Sequence, residues 1–380
     1  MSPTPAVSVL DHFADLPDPR VARTRRHQLL DMVALAICAI VSGADSGAEV
    51  ERDGQRQLAW LRTLLELPNG IPAHDTIGRV LARLDPVAFQ RCFLNWVGAL
   101  AEATPGKLMA IDGKTLRHSC DKAAGQGALH WVSAWATANH LVLGQQAVDG
   151  KSNEITAIPE LLTILDLSGA LVTIDARGCQ KDIAAQIHDG GGDYVLALKG
   201  NQATLSDDVQ DFLVTALEND FAGLEHRAPQ TTDQNHGRLE QRYYHIVPVP
   251  EPLAARHPEW AGRCSLGLVC SERQVGDAEP TCETRFFLSR WPPRVKRLAQ
   301  AVRGHWGMEN SVPGVLDVSF REDESRRRKG HGPENLALLR RLAASWLKNE
   351  TTATGGVASK RKQAGWDTDY LVQVLQANPT

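Results

Sequence analysis

Three carboxylates in this chain sit in settings that suit phosphodiester chemistry. Asp112 lies in K-L-M-A-I-D-G-K-T (107–115), Asp175 in L-V-T-I-D-A-R-G-C-Q (171–180) and Glu309 in H-W-G-M-E-N (305–310). Each aspartate ends an apolar run of strand type, and the glutamate stands among helix formers and basic residues. A carboxylate at the carboxyl end of a central strand projects into the crevice where open sheets bind ligands. Such oxygens suit Mg²⁺, which takes few protein carboxylates and fills its other positions with water and substrate oxygens. Two such ions side by side can activate both the attacking and the leaving oxygen of a phosphodiester. Taken singly the signals are weaker: Asp-Gly after a strand is most often a turn, and Asp175 would serve equally as a helix N-cap. The pairing of two strand-end aspartates is what points to chemistry. Gly113 allows close backbone approach, and Lys114 can meet a phosphate. On spacing alone Asp317, Glu322, Asp323 and Glu324 compete with Glu309.

The elements that must position these groups follow from periodicity and punctuation. Residues 1–104 read as a helical N-terminal domain. It has helices over Leu29–Val41 and Glu49–Leu67, then a helix–turn–helix pattern begun by Asp75 or Thr76 and continued from Asp85-Pro86 over Val87–Ala101. Such a helix pair can enter a major groove or simply pack. From residue 105 the period changes. Leu108–Ile111, Leu129–Ala138, Leu141–Val148, Ala170–Ile174 and Tyr194–Leu198 read as strands, with helices over Glu154–Leu165, Gln180–His188 and Gln202–Glu218. Strand–strand–strand–helix–strand–helix–strand is the order of a ribonuclease-H-like α/β sheet, the first part of a core over 105–221. Extended segments at Leu239–Val249, Cys264–Glu272 and Thr284–Leu288 suggest a β-rich insertion over 222–290. Helix returns from Arg294 through Asn310 and from Glu334 to Leu347, giving a second part of the core over 291–350. The remainder, 351–380, reads as a mobile Thr/Gly/Ser/Lys-rich linker, Thr351–Gly365, and a docking helix over Trp366–Ala377.

Composition bounds the partners. The 380 residues carry a formal net charge of −4, which excludes a polycation binding nucleic acid by bulk attraction. Yet Arg285–Lys348 holds 14 Lys/Arg against 6 Asp/Glu, a basic stretch suited to local phosphate contacts. Seven cysteines with no C-x-x-C argue against a disulfide framework and a structural zinc site. The longest apolar run, Met32–Val41, is too short to span a bilayer, and no leader of secretory type opens the chain. A cytoplasmic, nucleoid-associated protein with no membrane partner is expected.

Several stretches together resemble the H-repeat-associated, ISAs-type insertion-sequence transposases of the DDE superfamily. They are D-P-R with R-R-H-Q-L-L-D (18–31), A-I-D-G-K-T-L-R (110–117), V-D-G-K-S-N-E-I (148–155), L-V-T-I-D-A-R-G-C-Q (171–180), G-G-D-Y-V-L-A-L-K-G-N-Q (191–202), H-G-R-L-E-Q-R (236–242), R-G-H-W-G-M-E-N (303–310) and L-D-V-S-F-R-E-D-E (316–324). The resemblance implies a ribonuclease-H-like core with a β insertion and a nuclease and strand-transfer activity dependent on Mg²⁺, with Mn²⁺ as the alternative ion. It implies double-stranded DNA as partner, both terminal inverted repeats and target, with a homodimer forming on DNA. It assigns Asp112, Asp175 and Glu309 as the catalytic, metal-holding triad.

Lys114, Lys199, His236, Arg238, Arg242, Arg303, His305, Arg326, Arg327 and Arg328 are the expected DNA contacts. The chain also departs from the wider superfamily, with Val302, His305 and Leu316 where related transposases carry Tyr, Arg and Lys. After Glu309 it reads Val312-Pro313-Gly314 in place of the family's Leu-His-Trp. A proline inside a helix costs about 3 kcal/mol, so the helix of Glu309 is expected to end or kink one turn beyond it. That departure supports the alternative of a decayed or domesticated transposase that binds DNA without cutting it.

Overall fold

The computed structural model describes residues 10–101, 108–116, 129–137, 141–148, 154–224, 230–235 and 238–377. The side chains of 97–101, 115–116, 129, 147, 234–235, 238 and 308–313 lie outside this description. In chain order the first helices are α1 (Leu29–Val41), α2 (Gly47–Arg56), α3 (Leu58–Leu61), α4 (His74–Arg83) and α5 (Pro86–Ala101). Strands β1 (Leu108–Leu116), β2 (Leu129–Ala136) and β3 (Leu141–Val148) follow. Next come α6 (Glu154–Thr163), β4 (Leu171–Ile174), α7 (Lys181–Asp189), β5 (Asp193–Leu198) and α8 (Ala203–Glu218). Then β6 (Gln230–Asn235), β7 (Arg238–Pro248), α9 (Glu251–Arg256), β8 (Ser265–Val275) and β9 (Thr281–Ser289) lead to α10 (Val295–Val318). The chain closes with α11 (Gly332–Asn349), α12 (Val357–Trp366) and α13 (Thr368–Gln376). The fold class is mixed α/β.

Two compact units divide the chain, one of residues 1–104, 113–151 and 308–380, the other of 105–112 and 152–307. Strand β1 passes from the second unit to the first after Asp112, and α10 passes likewise after Gly307. In the first unit the late helix α11 is the axis. It is buried along nearly its whole length, with α1, α4, α5, β3, α12 and α13 packed on it. Asn335 of α11, itself buried, donates to the carbonyls of Leu81 and Leu84 at 2.9 and 3.0 Å, satisfying orphan acceptors at the end of α4. Strands β2 and β3 pair antiparallel in this unit, with an irregularity between Ala134 and Trp135.

In the second unit the strand order is β1-β4-β5-β9-β8-β7-β6. β1, β4 and β5 run parallel, and β9, β8, β7 and β6 continue antiparallel, so most of the sheet is antiparallel. The apolar runs 171–174 and 194–198 form β4 and β5, each almost wholly buried, as two-sided strands must be. Leu298, Ala301 and Val302 of α10 pack with Val195, Tyr244, Ile246, Val269 and Phe287 of the sheet into one apolar cluster.

Two expectations are corrected here. The helix over Glu49–Leu67 is divided: α2 begins earlier, on a capping box of Ser46 and Glu49, and the chain leaves helical geometry at Gln57. The Asp31 carboxylate accepts the Leu67 N–H at 2.9 Å and holds that end in a turn, with Leu67 at φ 40°. The segment 351–365 is not a linker throughout, because α12 occupies its second half. Arg361 is 4% exposed and donates to the carbonyls of Ile40 and Ser319 and to the Asp45 carboxylate. Lys360 donates to the carbonyls of Leu347 and Glu350. Composition marked the segment as mobile; partners distant in sequence order it.

Candidate active site

Asp112 and Asp175 are brought to one level. In the parallel pairing of β1 and β4, Leu108 stands opposite Leu171 and Ile111 opposite Ile174, so the next residue on each strand is an aspartate. Neighbouring strands lie about 4.8 Å apart, and side chains alternate between faces, which puts both carboxylates on the face away from Ile111 and Ile174. Both are partly exposed.

The loop after β4 is tightly built. Oδ1 of Asp175 accepts the backbone N–H groups of Arg177 and Gly178 at 3.0 and 3.2 Å. The aspartate therefore does close a turn, and that turn fixes its orientation while Oδ2 has no hydrogen-bond partner among the described residues. Gly178 is required: a Cβ there would stand 2.3 Å from Ile174 Cγ2 and 2.8 Å from Ile158 Cδ1. Asn201 donates to the Ala176 carbonyl at 2.6 Å and Gln202 to the Cys179 carbonyl at 3.0 Å. The bracing role of Asn201 and Gln202 is not among the roles that the sequence assigns. Their amides, following directly on a buried strand, were the available signal. Cys179 is fully buried, and burial pushes its thiol pKa up to about 12, so it offers no thiolate.

His305 is turned inward. It is 9% exposed, and its Nδ1 lies 3.0 Å from the hydroxyl of Thr173, two residues before Asp175. Burial drives its pKa down to about 4, with Asp175 partly opposing that effect and Arg285 reinforcing it. Next to it, Trp306 carries the guanidinium of Arg285 over its ring at 4.2 Å.

The expected DNA contacts are scattered. Lys199 is exposed at the end of β5. Arg242 and Arg303 come together on one carboxylate, Asp233, at 2.6 and 3.0 Å, and Arg242 also pairs with Glu240 at 2.6 Å. Lys114 reaches Asp317 at 2.5 Å and Glu322 at 2.9 Å. Glu322 is fully buried and also pairs with Arg341 at 2.8 Å. Burial would raise the Glu322 pKa, but Arg341 and Lys114 outweigh it and hold the carboxyl below its usual range. Two of the acids that spacing could not separate from Glu309 are thus occupied by Lys114. Arg326 and Arg328 are exposed in the loop before α11, with Arg327 half-buried. His236 and the side chains of Arg238 and Glu309 lie outside the described residues.

The expected break at Pro313-Gly314 is overturned, because α10 runs unbroken from Val295 to Val318. Leu298, Ala301 and Val302 before Glu309, and Leu316 after it, are all buried, so the helix is anchored on either side of the proline. Glu309 lies four residues, one helical turn, beyond His305 on the same helix face. Among the described residues no three acidic, His or Cys groups stand together as a metal cage, and no helix is long and apolar enough to cross a membrane.

Residues 103–347 match the family described as Transposase DDE domain, and residues 10–97 match its companion, DDE_Tnp_1-associated. The "Putative transposase YncI" of Escherichia coli O157:H7 is 40% identical over 97% of this chain and 94% of its own length. The "H repeat-associated putative transposase YhhI" of Escherichia coli K12 is 38% identical over 97% of both chains. A cryo-EM structure of a piggyBac transposase synaptic complex with hairpin DNA aligns over 97% of this chain and 77% of that one, at a TM-score of 0.43 and 10% identity. With its two family matches spanning most of its length and relatives alike from end to end, the chain belongs to the DDE transposases, in the H-repeat-associated group.

Proposed function

We propose that this chain is a metal-dependent DNA endonuclease and strand transferase built on a ribonuclease-H-like core. It would cut at the terminal repeats of its own mobile element and join the freed ends to target DNA. One observation supports the reading: the pairing of Ile111 with Ile174 brings Asp112, inside β1, next to Asp175, the residue that follows β4, on adjacent parallel strands. Glu309 is the proposed third carboxylate, on the face of α10 that His305 presents to Thr173.

The donors suit a hard cation. They are carboxylate oxygens, the nearby thiol of Cys179 is held protonated, and the imidazole of His305 is engaged by Thr173. Asp112, Asp175 and Glu309 would hold Mg²⁺ or Mn²⁺. When bound, the ions supply activation of the attacking oxygen and stabilisation of the leaving oxygen in an in-line displacement.

The protein's own residues orient the site. The turn at Arg177 and Gly178 holds Oδ1 of Asp175 and leaves Oδ2 without a hydrogen-bond partner among the described residues, and Asn201 and Gln202 brace that turn from the loop after β5. Lys199 and Arg177, both exposed, are placed at the ends of β5 and β4 to meet the flanking phosphates. Two DNA ends must be cut for one insertion, which fits two subunits acting together on DNA.

The test is a cleavage assay on duplexes carrying the element's ends, with Mg²⁺ or with chelator. Asp112→Asn and Asp175→Asn should each lose cutting by several orders of magnitude while duplex affinity stays near the parental value. Cutting by D175N at the parental rate would sink the assignment.

A further inference from the structure

A cavity of about 390 Å³ in the first unit has no part in the carboxylate site. Four arginines line it: Arg321, Arg326 and Arg327 from the loop after α10, and Arg340 from α11. Ser46 and Ser325 add hydroxyls. Among the described residues, the side chains of Arg321, Arg326 and Arg327 make no hydrogen bond or ion pair. Arg340 is only 3% exposed, yet the one hydrogen bond of its side chain is to the Asp45 carbonyl at 3.4 Å. A guanidinium has five N–H donors, and burying one so poorly partnered is unfavourable unless an anion joins it. Burial is the chief influence lowering the Arg340 pKa; Glu322 and Asp45 oppose it, and Arg361 and Arg341 add to it.

Three acids also line the cavity, and two are committed elsewhere. The Asp45 carboxylate is taken by Arg361 at 3.0 Å. The Glu49 carboxylate accepts the N–H groups of Asp45 and Ser46 at 2.7 and 3.0 Å as part of the α2 cap. Glu322 and Asp45 offset part of the Arg340 charge, whereas the side chains of Arg321, Arg326 and Arg327 have no acidic partner among the described residues. Two backbone features hold the arginines in place. Arg327 occupies a slot left by Gly47 and Gly78, where a Cβ would stand 2.5 and 2.6 Å from its terminal nitrogens. Arg321 adopts left-handed geometry (φ 47°, ψ 42°), a strained state for a side chain of its kind. Glu322 is thereby buried while Arg321 stays exposed beside the cavity.

We propose that this cavity binds a phosphodiester group of the DNA backbone, apart from the residues that do the chemistry. The guanidinium fork matches paired phosphate oxygens, and exposed Arg321 and Arg326 can follow the neighbouring phosphates along a strand. The proposal rests on the reading of the chain as a DNA-processing enzyme. Free phosphate shares the chemistry and is the competing source.

The experiment uses the full-length chain and two variants. Arg321→Gly removes one guanidinium together with the backbone strain, since glycine takes positive φ freely, so its melting temperature should hold or rise. Arg326→Gln removes an exposed guanidinium. Each should weaken binding of end-sequence and unrelated duplexes by a similar factor and reduce the slope of log K against log[salt] by about 1. Unchanged slopes in both variants would overturn the proposal. So would inorganic phosphate raising the melting temperature of the parent but not of R321G while both slopes stay put, because the cavity would then take free phosphate. A parent chain that fails to cut but whose slope still drops in R321G would refute the nuclease reading and leave this site standing.

Discussion

The hydroxyl of Thr173 lies 3.0 Å from Nδ1 of His305 and 3.3 Å from the carbonyl of Met109, tying β4, α10 and β1 together just behind the aspartates. A hydroxyl has one proton. If Thr173 gives it to the Met109 carbonyl, Nδ1 of His305 must be the donor in the other bond; burial, which lowers the ring's pKa to about 4, keeps it neutral near pH 7. The ring is buried, on the same helix that bears Glu309.

That arrangement predicts a pH dependence in the metal-free protein. The folded His305 pKa is about 4 against an ordinary 6.5, so between those values the unfolded chain binds a proton that the folded chain refuses. Stability should be highest above pH 6.5, fall through the window down to about pH 4, and then level. The whole effect is on the order of 3 kcal/mol. Urea midpoints at pH 7 and pH 5 should differ more in the parent than in His305→Asn, which keeps a donor for Thr173 without a titrating ring. Equal differences in the two proteins would remove His305 as the cause.

Gly178 offers a test of the loop that holds Asp175. Gly178→Ala forces a methyl against Ile174 and Ile158 and should cost about 1–3 kcal/mol of stability. Cutting should fall further than stability, because the Asp175 turn shifts and small misplacements carry large rate factors. Gly200→Ala, where nothing lies within 4 Å of the added carbon, is the control and should be silent. Parental cutting by G178A would mean that the turn does not set the carboxylate.

How far the sequence was legible depends on where each element's partners lie. Helix α1 could be bounded to the residue because its apolar run ends at Ser42-Gly43. Strands β4 and β5 could be read because strands buried on both faces are continuously apolar. Strand β6, Q-T-T-D-Q-N, carries no such signal and exists through its pairing with β7. At the candidate site Asp175 was visible as a strand end; Asp112 was read as one too, but β1 continues through Gly113 and Lys114 to Leu116. The bonds from Asn201, Gln202 and His305 were not, since each joins segments far apart in sequence.

Glu322 should be the most sensitive charged residue of the first unit. It is fully buried between Lys114 and Arg341, and removing its charge leaves a buried guanidinium without a counter-ion. Glu322→Gln should therefore destabilise by about 3–5 kcal/mol. Asp317 meets the same lysine but is 37% exposed, so Asp317→Asn should cost no more than about 1 kcal/mol. Melting temperatures of the two variants decide it, and near-equal losses would contradict the ranking.

The continuity of α10 changes what the Pro313-Gly314 pair is expected to do. A proline inside a helix supplies no N–H to the carbonyl four residues earlier, here that of residue 309, and its ring crowds that carbonyl. The helix nevertheless persists to Val318, held by buried residues on both sides of the pair. The pair is then a local cost borne by a well-anchored helix, not the end of one. Pro313→Ala should restore the missing bond and stabilise the protein by about 1–3 kcal/mol. Gly314→Ala, with nothing within 4 Å of the added carbon, should add about 1 kcal/mol. Cutting should change little in either variant, because the helix direction is already set by its anchors. A melting temperature that stays level or falls in P313A would mean that the surroundings are fitted to the proline, and the cost assigned to it would be wrong.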